Sequence, residues 1–189
     1  MKRSLGARTL AFSTPVWVIG TYGDDGRPNV MTAAWTGICC SSPPCVAVSL
    51  RKATYTYGCL LSRRAFTVNI PSEEQVRQTD YFGMISGRET DKLAVVGYTA
   101  VASSLVDAPL VEEMSLTLEC RLLHTLEIGL HTLFVGEILD VKADEAVLGA
   151  RGLPDPAKVR PLVYSPEVRS YHGLTATLGQ AFAMGKGLE

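Results

Sequence analysis

The sequence predicts a mainly β protein: an antiparallel barrel, closed or nearly closed, with a few short helices. Three observations support this fold class. Strand-like runs recur along the chain, turn-forming residues separate them, and only two short stretches have helical spacing. The elements do not follow the β-α-β order of a parallel sheet, so the strands are expected to pair antiparallel.

The first part of the chain predicts a hairpin followed by two further strands. Thr14 to Tyr22 is rich in β-branched and aromatic residues, and the turn formers Gly23 to Pro28 lead from it into Asn29 to Gly37. Further on, the alternating run Cys45 to Leu50 predicts a strand, and Ala65 to Ile70 predicts another.

Two stretches predict short helices. Ala53 to Ser62 lacks strand alternation and has helical spacing. A second helix is expected after Pro71, because Ser72 and Gln75 match a capping box and no helix breaker follows before Tyr81.

Two long strands are predicted in the second half, Ser115 to Ile128 and His131 to Ala143, with the turn at Gly129. The first of them alternates, which predicts a half-buried strand with an apolar inner face and a polar outer face. The inner face holds Leu116, Leu118, Cys120 and Leu122, and the outer face holds Ser115, Thr117, Glu119 and Arg121. Leu162 to Tyr164 predicts a further short strand.

Composition narrows the class of protein. The 189 residues contain no repeat or long linker, so we expect one domain spanning residues 1–189. A formal net charge of −1 provides no overall positive potential that would attract nucleic acid, and no apolar run is long enough to cross a membrane. The start lacks the pattern of a secretory signal, and the five cysteines are an odd number, which favours reduced thiols in the cytoplasm.

Several common catalytic motifs are missing. The chain has neither a glycine-rich dinucleotide fingerprint nor a phosphate-binding Walker sequence, and its serines lack a nucleophile-elbow context. Adjacent Cys39 and Cys40 would point to opposite faces of a strand, so packing is the favoured role of the cysteines and no metal is expected.

The strongest local signal for a ligand is the stretch from Ser49 to Tyr57. A predicted strand ends there, Arg51 and Lys52 follow, and hydroxyl residues such as Thr54 stand where a helix is expected to begin. Such a helix start favours an anion, and Arg51 can fork onto phosphate oxygens. Taken alone, however, these residues fit a solvated basic turn better than a phosphate site.

Two further segments are weaker candidates. In Gly26 to Gly37, the small residues after Met31 would let a flat ligand approach the backbone, and Asn29 offers a donor and an acceptor; small residues also suit a crowded strand. The segment from Asp80 to Leu93 is expected to be a loop. Its Ser86 and Gly87 could present backbone donors, while Asp91 and Lys92 could pair or meet a ligand, and a surface loop with a local ion pair is an equal alternative.

In their order along the chain, these segments resemble the flavin reductase-like, FMN-binding split-barrel family, and its flavoredoxin branch in particular. The similarity covers most of the chain. The stretches that carry it are Pro15–Gly20, Gly26–Trp35, Ser41–Pro44, Ser49–Tyr57, Ala65–Ser72, Ser86–Lys92 and His131–Ile138.

The resemblance implies a six-stranded Greek-key barrel, a homodimer, and FMN bound in a groove near the subunit interface. By this analogy Arg51, with Ser49 and Thr54, would hold the phosphate, and Leu50 and Tyr55 belong to the same segment. Asn29, Met31, Thr32 and Ala33 would line the isoalloxazine or the ribityl chain. Ser86, Gly87 and Lys92 would close the site, from the same or the neighbouring subunit. Family context thus favours the phosphate site over the basic turn.

Flavin reductases of this family carry a Gly-Asp-His motif that helps to receive NAD(P)H. The matching residues here are Gly129, Leu130 and His131, so the histidine is present and the acidic residue is not. His131 is the candidate catalytic residue. A structural role, as a histidine at the end of a strand bonded to a backbone carbonyl group, is an equal alternative.

The resemblance implies an FMN-dependent oxidoreductase that moves electrons from NAD(P)H or a partner protein to an acceptor. A reductase that supplies reduced flavin and an electron carrier with permanent FMN both fit, and Leu130 favours the carrier. The alternative class is a flavin-binding dimeric barrel without turnover.

Overall fold

The computed structural model describes residues 1–174 and 176–186. Its strands are β1 Thr14–Pro15, β2 Trp17–Tyr22, β3 Pro28–Ala33, β4 Thr36–Ser41, β5 Pro44–Arg51, β6 Ala65–Asn69, β7 Ala100–Ala102, β8 Pro109–Val111, β9 Leu116–Ile128, β10 His131–Ala143, β11 Leu162–Ser165 and β12 Ser170–Gly173. Seven of them form one antiparallel sheet in the order β3-β2-β6-β9-β10-β5-β4. The remaining five form a three-stranded and a two-stranded sheet.

The seven-stranded sheet is curled around one apolar core. Alternate side chains of β5 point inward, which buries Val46, Val48 and Leu50. They join Phe66 of β6 and Phe134 of β10, both fully buried, in a single cluster to which β2, β3 and β9 also contribute. Because six strands of the sheet share this core, the sheet is a barrel, and burial of its apolar side chains is the main stabilising contribution. The fold class predicted from the sequence is therefore confirmed.

The strand count differs from the expected six, because the predicted hairpin is divided. The run Asn29 to Gly37 leaves the ladder after Ala33, which pairs with Trp17, and residues from Thr36 onward pair with β5 instead of β2. The other arm is divided as well: Thr14 and Pro15 pair with β11. A change of partner strand leaves no mark in an alternating sequence, which explains the difference.

The described residues form four α-helices, α1 Tyr55–Arg63, α2 Val76–Met84, α3 Lys92–Val96 and α4 Pro156–Val159, with 3₁₀ turns at Glu73–Gln75 and Glu145–Val147. Two of these helices, α1 and α2, lie close to the predicted places, and the short α3 and α4 were not predicted. The capping box at Ser72 is confirmed, since the Ser72 N–H donates to Gln75 Oε1 at 2.9 Å. Met84 and Lys92 lie in α2 and α3, so the segment predicted as a loop is a loop only between these helices.

The long strands β9 and β10 pair along their whole length and turn at Gly129, which has the positive φ of 52° that such a turn favours. Leu118, Cys120 and Leu122 are buried, as predicted. The expectation of an exposed outer face is wrong at Thr117 and Glu119, which are buried because another part of the chain covers them. Glu119 accepts hydrogen bonds from Ser103 Oγ and Lys142 Nζ, so its burial does not leave an unpaired charge.

Asn69 is a fully buried amide at the junction of four strands. Its Nδ2 donates to the Val18 carbonyl oxygen and to Thr67 Oγ1, both at 3.0 Å. Its Oδ1 accepts from the Val111 N–H at 2.9 Å and from Thr117 Oγ1 at 3.0 Å. All of its hydrogen-bonding capacity is used, so this side chain connects β8 to the barrel strands β2, β6 and β9.

The three-stranded sheet has the order β1-β11-β12 and lies beside the barrel, to which β1 connects it through the chain. The two-stranded sheet pairs β7 with β8. All five cysteines are free thiols, and Cys40 is the cross-strand partner of Cys45. Within residues 1–174 and 176–186, no helix is long and apolar enough to cross a membrane.

Candidate functional site

A cavity of about 640 Å³ opens beside the ends of β3, β5 and β10. One side, which we call the barrel wall, consists of Met31, Thr32, Ala33, Ser49, Leu50, Arg51, Thr54 and His131. The opposite side, which we call the hairpin wall, consists of Tyr164, Arg169 and Tyr171 from β11, β12 and their connecting turn. Asp80, Gly83 and Met84 of α2 form the floor, and Ala34 and Trp35 complete the lining.

Eight of the thirteen residues singled out in the sequence therefore line one cavity, and they make up the barrel wall. The ladder between β5 and β10 explains why two distant segments meet, because Arg51 and His131 are cross-strand partners. Partners in an antiparallel ladder project from the same face of the sheet, with Cα atoms about 5 Å apart. The candidate phosphate ligand and the candidate catalytic residue are thus neighbours.

Arg51 leaves its guanidinium available for a ligand. None of the ion pairs formed among the described residues includes it. The contact of Arg51 with Thr54 uses only the Arg51 backbone, whose carbonyl oxygen accepts hydrogen bonds from Thr54 N and Oγ1 at 3.0 and 2.9 Å. The adjacent Lys52 is different, since it pairs with Glu127 at 2.8 Å.

The start of α1 adds a second feature that suits an anion. Thr54 is the N-cap residue, but its side chain makes no capping bond to the first-turn N–H groups, and no acidic residue occupies that turn. First-turn N–H groups and the positive end of the helix dipole favour a negative charge at this place.

Asn29, Tyr55 and Gly87 form a separate group that does not line the cavity. The amide of Asn29 is buried, and its Nδ2 donates to Thr21 Oγ1 at 3.2 Å and to Thr56 Oγ1 at 2.9 Å. Its Oδ1 is buried without a hydrogen-bond partner and lies against Gly87, where a Cβ atom would collide with it. Gly87 thus allows the loop after α2 to pack closely on Asn29 and Tyr55.

Ser86 and Lys92 also lie outside the cavity lining. Ser86 Oγ accepts from the Arg88 N–H at 3.3 Å. Of the two possibilities for Asp91 and Lys92, their mutual pairing does not occur: Asp91 accepts from the Ala94 N–H and caps α3, whereas Lys92 Nζ donates to the carbonyl oxygens of Phe82 and Ile85 at 3.0 Å. Burial lowers the pKa of Lys92 to about 8, because the charged form is poorly solvated there.

The sequence of the chain matches the model of a known protein family. The model of the flavin reductase-like domain matches residues 8–175, which is most of the chain. The chain belongs to the flavin reductase-like family. The resemblance inferred from the sequence is confirmed at the level of the family and of its flavoredoxin branch.

Three proteins of known name are similar to this flavin reductase-like chain. A flavoredoxin from Desulfovibrio vulgaris (Miyazaki F) is 53% identical, with a TM-score of 0.95 over 98% of this chain and 100% of that chain. An FMN-binding protein from Thermus thermophilus with bound 1-cyclohex-2-enone is 25% identical, with a TM-score of 0.80 over 95% and 97% of the two chains. The reductase component of a 4-nitrophenol monooxygenase from Rhodococcus opacus is 30% identical over 132 residues, 70% of this chain and 67% of the relative.

Sequence reasoning missed the hairpin wall of this flavin reductase-like protein. Tyr164 was predicted to lie in a strand, but nothing assigned it, Arg169 or Tyr171 to the site. The available signal was one tyrosine in each of two short neighbouring strands, where Tyr164 and Tyr171 are cross-strand partners. Trp35, 37% exposed, stands in a segment that the sequence did single out, but it was not among the candidate residues.

Proposed function

We propose that this protein binds FMN in the cavity and moves electrons through it, from NAD(P)H or a partner protein to an acceptor. The observation that carries the proposal is the barrel wall, where Arg51, which forms no ion pair with any described residue, stands beside a helix start and next to its cross-strand partner His131. Membership of the flavin reductase-like family supports it independently.

In this proposal the phosphate of FMN lies at Arg51. The guanidinium supplies two parallel donors, and Ser49 and Thr54 add hydroxyl groups from the same segment. Since the first turn of α1 has no acidic residue, its N–H groups do not meet a competing carboxylate.

The ring of FMN lies along β3 in this proposal. Thr32, Ala33 and Ala34 are small, so a flat molecule can approach the backbone there. Bound FMN supplies hydride acceptance and onward electron transfer, while the chain supplies position and electrostatics. Donor groups of β3 that face the ring favour negative charge on it.

His131 is the proposed catalytic residue that orients the nicotinamide. It lines the cavity and is only partly buried, so one of its ring nitrogens can reach a ligand. The position before it is Leu130, which is 63% exposed, and not the acidic residue of the flavin reductase motif. The second form of the proposal is therefore an electron carrier whose FMN is reduced by a partner protein, and the missing acidic residue supports it.

Anaerobic reduction of the purified protein tests the proposal. We expect a yellow protein whose absorbance near the flavin band is bleached by NADH or NADPH. Bleaching by a reduced partner protein alone would favour the carrier. A protein that stays colourless after incubation with excess FMN would overturn the proposal, and bound flavin that no donor reduces would favour a flavin-binding barrel without turnover.

We also propose a homodimer in the cytoplasm. The tip of the β9–β10 hairpin exposes Leu126, Ile128 and Leu130, and an exposed apolar group of this kind favours a partner surface. Five free thiols fit a reducing compartment. Sedimentation should give twice the 20.4 kDa of one chain, and Ile128→Asp should give the monomer; a wild-type monomer would contradict the dimer.

A further inference from the structure

Three cysteines lie at the turn between β4 and β5, at the end of these strands that is away from the cavity. Cys40 of β4 is the cross-strand partner of Cys45 of β5, and Cys39 precedes Cys40. The lining of the cavity includes none of the three, and the FMN proposal gives them no role. Packing, the role that the sequence favours for cysteine, does not account for Cys39 and Cys40, because both are exposed.

The ladder places Cys40 and Cys45 at a separation that a disulfide bond can span. Directly opposite residues of an antiparallel pair project from the same face, with Cα atoms about 4.5–5.5 Å apart. Disulfide bonds join residues whose Cα atoms are about 4.4–6.8 Å apart. β4 is the last strand in the order of the seven-stranded sheet, so it can make the small shift that brings two sulfur atoms into bonding distance.

Cys39 is placed differently from its neighbour. The register puts Ile38 opposite Val46 and Cys40 opposite Cys45, so Cys39 is the extra residue of a β-bulge. The ladder therefore singles out Cys40, and not Cys39, as the thiol that faces Cys45.

The two facing thiols differ in their access to solvent. Cys40 is exposed, and its Sγ donates to the Ser42 carbonyl oxygen at 3.4 Å. Cys45 is 3% exposed. Burial raises the pKa of Cys45, and the nearby thiol of Cys40 adds to this effect, so Cys45 keeps its proton more strongly than a solvated thiol does. A reagent from solution thus meets Cys40 first and finds Cys45 behind it.

We propose that Cys40 and Cys45 form a reversible dithiol–disulfide site whose co-substrate is a low-molecular-weight disulfide. The site is separate from the proposed FMN cavity and does not depend on it. In the structure both residues are free thiols, which is the reduced form of the site.

The exchange takes place in two steps. The Cys40 thiolate attacks one sulfur atom of the small disulfide, which forms a mixed disulfide and releases one small thiol, protonated by the proton that Cys40 lost. The Cys45 sulfur then attacks Cys40 Sγ, breaks the mixed disulfide, and passes its proton to the second small thiol as that thiol leaves. The protein loses two electrons and two protons, and the small disulfide gains them.

The size of the loop favours a bond that can be reduced again. A Cys40–Cys45 bond would enclose only the four residues 41–44, and a disulfide that closes so short a loop constrains the unfolded chain little. An exposed sulfur atom at Cys40 also leaves the bond open to attack by external thiols. Both features suit a reversible modification better than a permanent structural bond.

Exchange with glutathione disulfide, followed by mapping of the cysteines, tests the proposal. Purified protein with reduced thiols is incubated with the probe without air, the remaining thiols are alkylated, and the peptides are identified by mass spectrometry. Cys40→Ser removes the attacking thiol and Cys45→Ser removes the second one. Cys39→Ser is the matched control, because Cys39 is the exposed neighbour that lies in the bulge.

We expect a Cys40–Cys45 bond in the wild-type protein and in Cys39→Ser. Cys45→Ser should accumulate glutathione on Cys40, about tenfold more than the wild-type protein, because the neighbouring thiol that displaces it within the molecule is missing. Cys40→Ser should keep Cys45 reduced, because Cys45 is covered. A thiol reductant should restore both thiols of the wild-type protein.

Three results would overturn the proposal. These are a wild-type protein whose Cys40 and Cys45 both stay reduced, glutathione that persists on Cys40 as much in the wild-type protein as in Cys45→Ser, and a bond in which Cys39 replaces either residue. If Cys45→Ser does not fold, the mapping of the wild-type protein and of Cys40→Ser decides the question alone. FMN binding should be unchanged in Cys39→Ser and Cys40→Ser, so none of these results affects the FMN proposal.

Discussion

The two walls of the cavity are held in different ways. Arg51 and His131 of the barrel wall belong to the continuous ladder of a seven-stranded sheet over a large apolar core. The hairpin wall rests on two four-residue strands, the two-residue β1, and a few side-chain bonds, among them those from the Tyr171 hydroxyl group to Asp80 and from Thr14 Oγ1 to the Tyr164 carbonyl oxygen. Since short sheets with few bonds open locally at lower cost, we expect the barrel wall to be the fixed side of the site and the hairpin wall the adaptable side.

The largest expected effect is on the free energy of unfolding, and it concerns the floor of the cavity between the two walls. Lys92 binds carbonyl oxygens at the end of α2, which carries the floor residues Gly83 and Met84. With its pKa lowered to about 8, Lys92 loses its proton in the folded state above about pH 8, whereas the unfolded chain keeps it up to about pH 10.5. The free energy of unfolding should therefore rise with pH between about 8 and 10.5, by up to about 3 kcal/mol from this group.

Urea unfolding at several pH values checks this, with Lys92→Met lacking the rise and the exposed Lys186→Met keeping it. Parallel pH curves for wild type and Lys92→Met would show that the floor does not depend on this amine.

The second effect tests the barrel wall directly. Arg51→Ala should weaken FMN binding by about 1.5–3 kcal/mol, because a charge-assisted bond to phosphate is lost. Lys52→Ala is the control, since Lys52 pairs with Glu127 and does not line the cavity. Fluorescence titration of the flavin measures both constants, and equal losses would mean that only general positive charge attracts FMN.

The third effect separates binding from electron transfer on the same wall. His131→Ala should slow reduction by NAD(P)H about tenfold, which corresponds to about 1.4 kcal/mol, and leave FMN affinity unchanged. Anaerobic stopped-flow absorbance follows the reduction. Unaltered kinetics would make His131 a structural strand-end residue beside Arg51.

The smallest effect concerns how the hairpin wall is held. Tyr171→Phe should lower the free energy of unfolding by about 0.5–1.5 kcal/mol through loss of the bond to Asp80. Tyr164→Phe is the matched control, because no hydrogen bond among the described residues involves its hydroxyl group. Equal stabilities of the two variants would mean that the bond from Tyr171 to Asp80 does not stabilise this wall.

Most of the fold and one wall could be predicted from the sequence. Alternation indicated β5, β6, β9 and β10, and the capping box at Ser72 indicated the start of the second helical segment. Arg51 stands out because a strand end, a cation and a helix start follow one another within a few residues, although these residues alone fit a basic turn better and only the family resemblance favours the phosphate site. These are local signals, and a chain of 189 residues shows them without knowledge of its partners.

The remaining features depend on contacts between distant segments. Arg169 and Tyr171 meet the barrel only because β11 pairs with β1, more than 140 residues earlier in the chain. The burial of Glu119 likewise depends on Ser103 and Lys142, which its own alternating strand does not reveal. In both cases topology overrides a local pattern that describes one strand at a time.

The buried side chain of Asn69 also affects how fast a backbone amide proton should exchange with solvent deuterium. Val111 belongs to a two-stranded sheet of three-residue strands, and the amide protons of so short a sheet ordinarily exchange early. Its N–H donates to Asn69 Oδ1 and not to a neighbouring strand, so its protection should follow that of the barrel interior. The β7–β8 arm would then lose its protons late and together with β2 and β6, as part of the last unit to unfold.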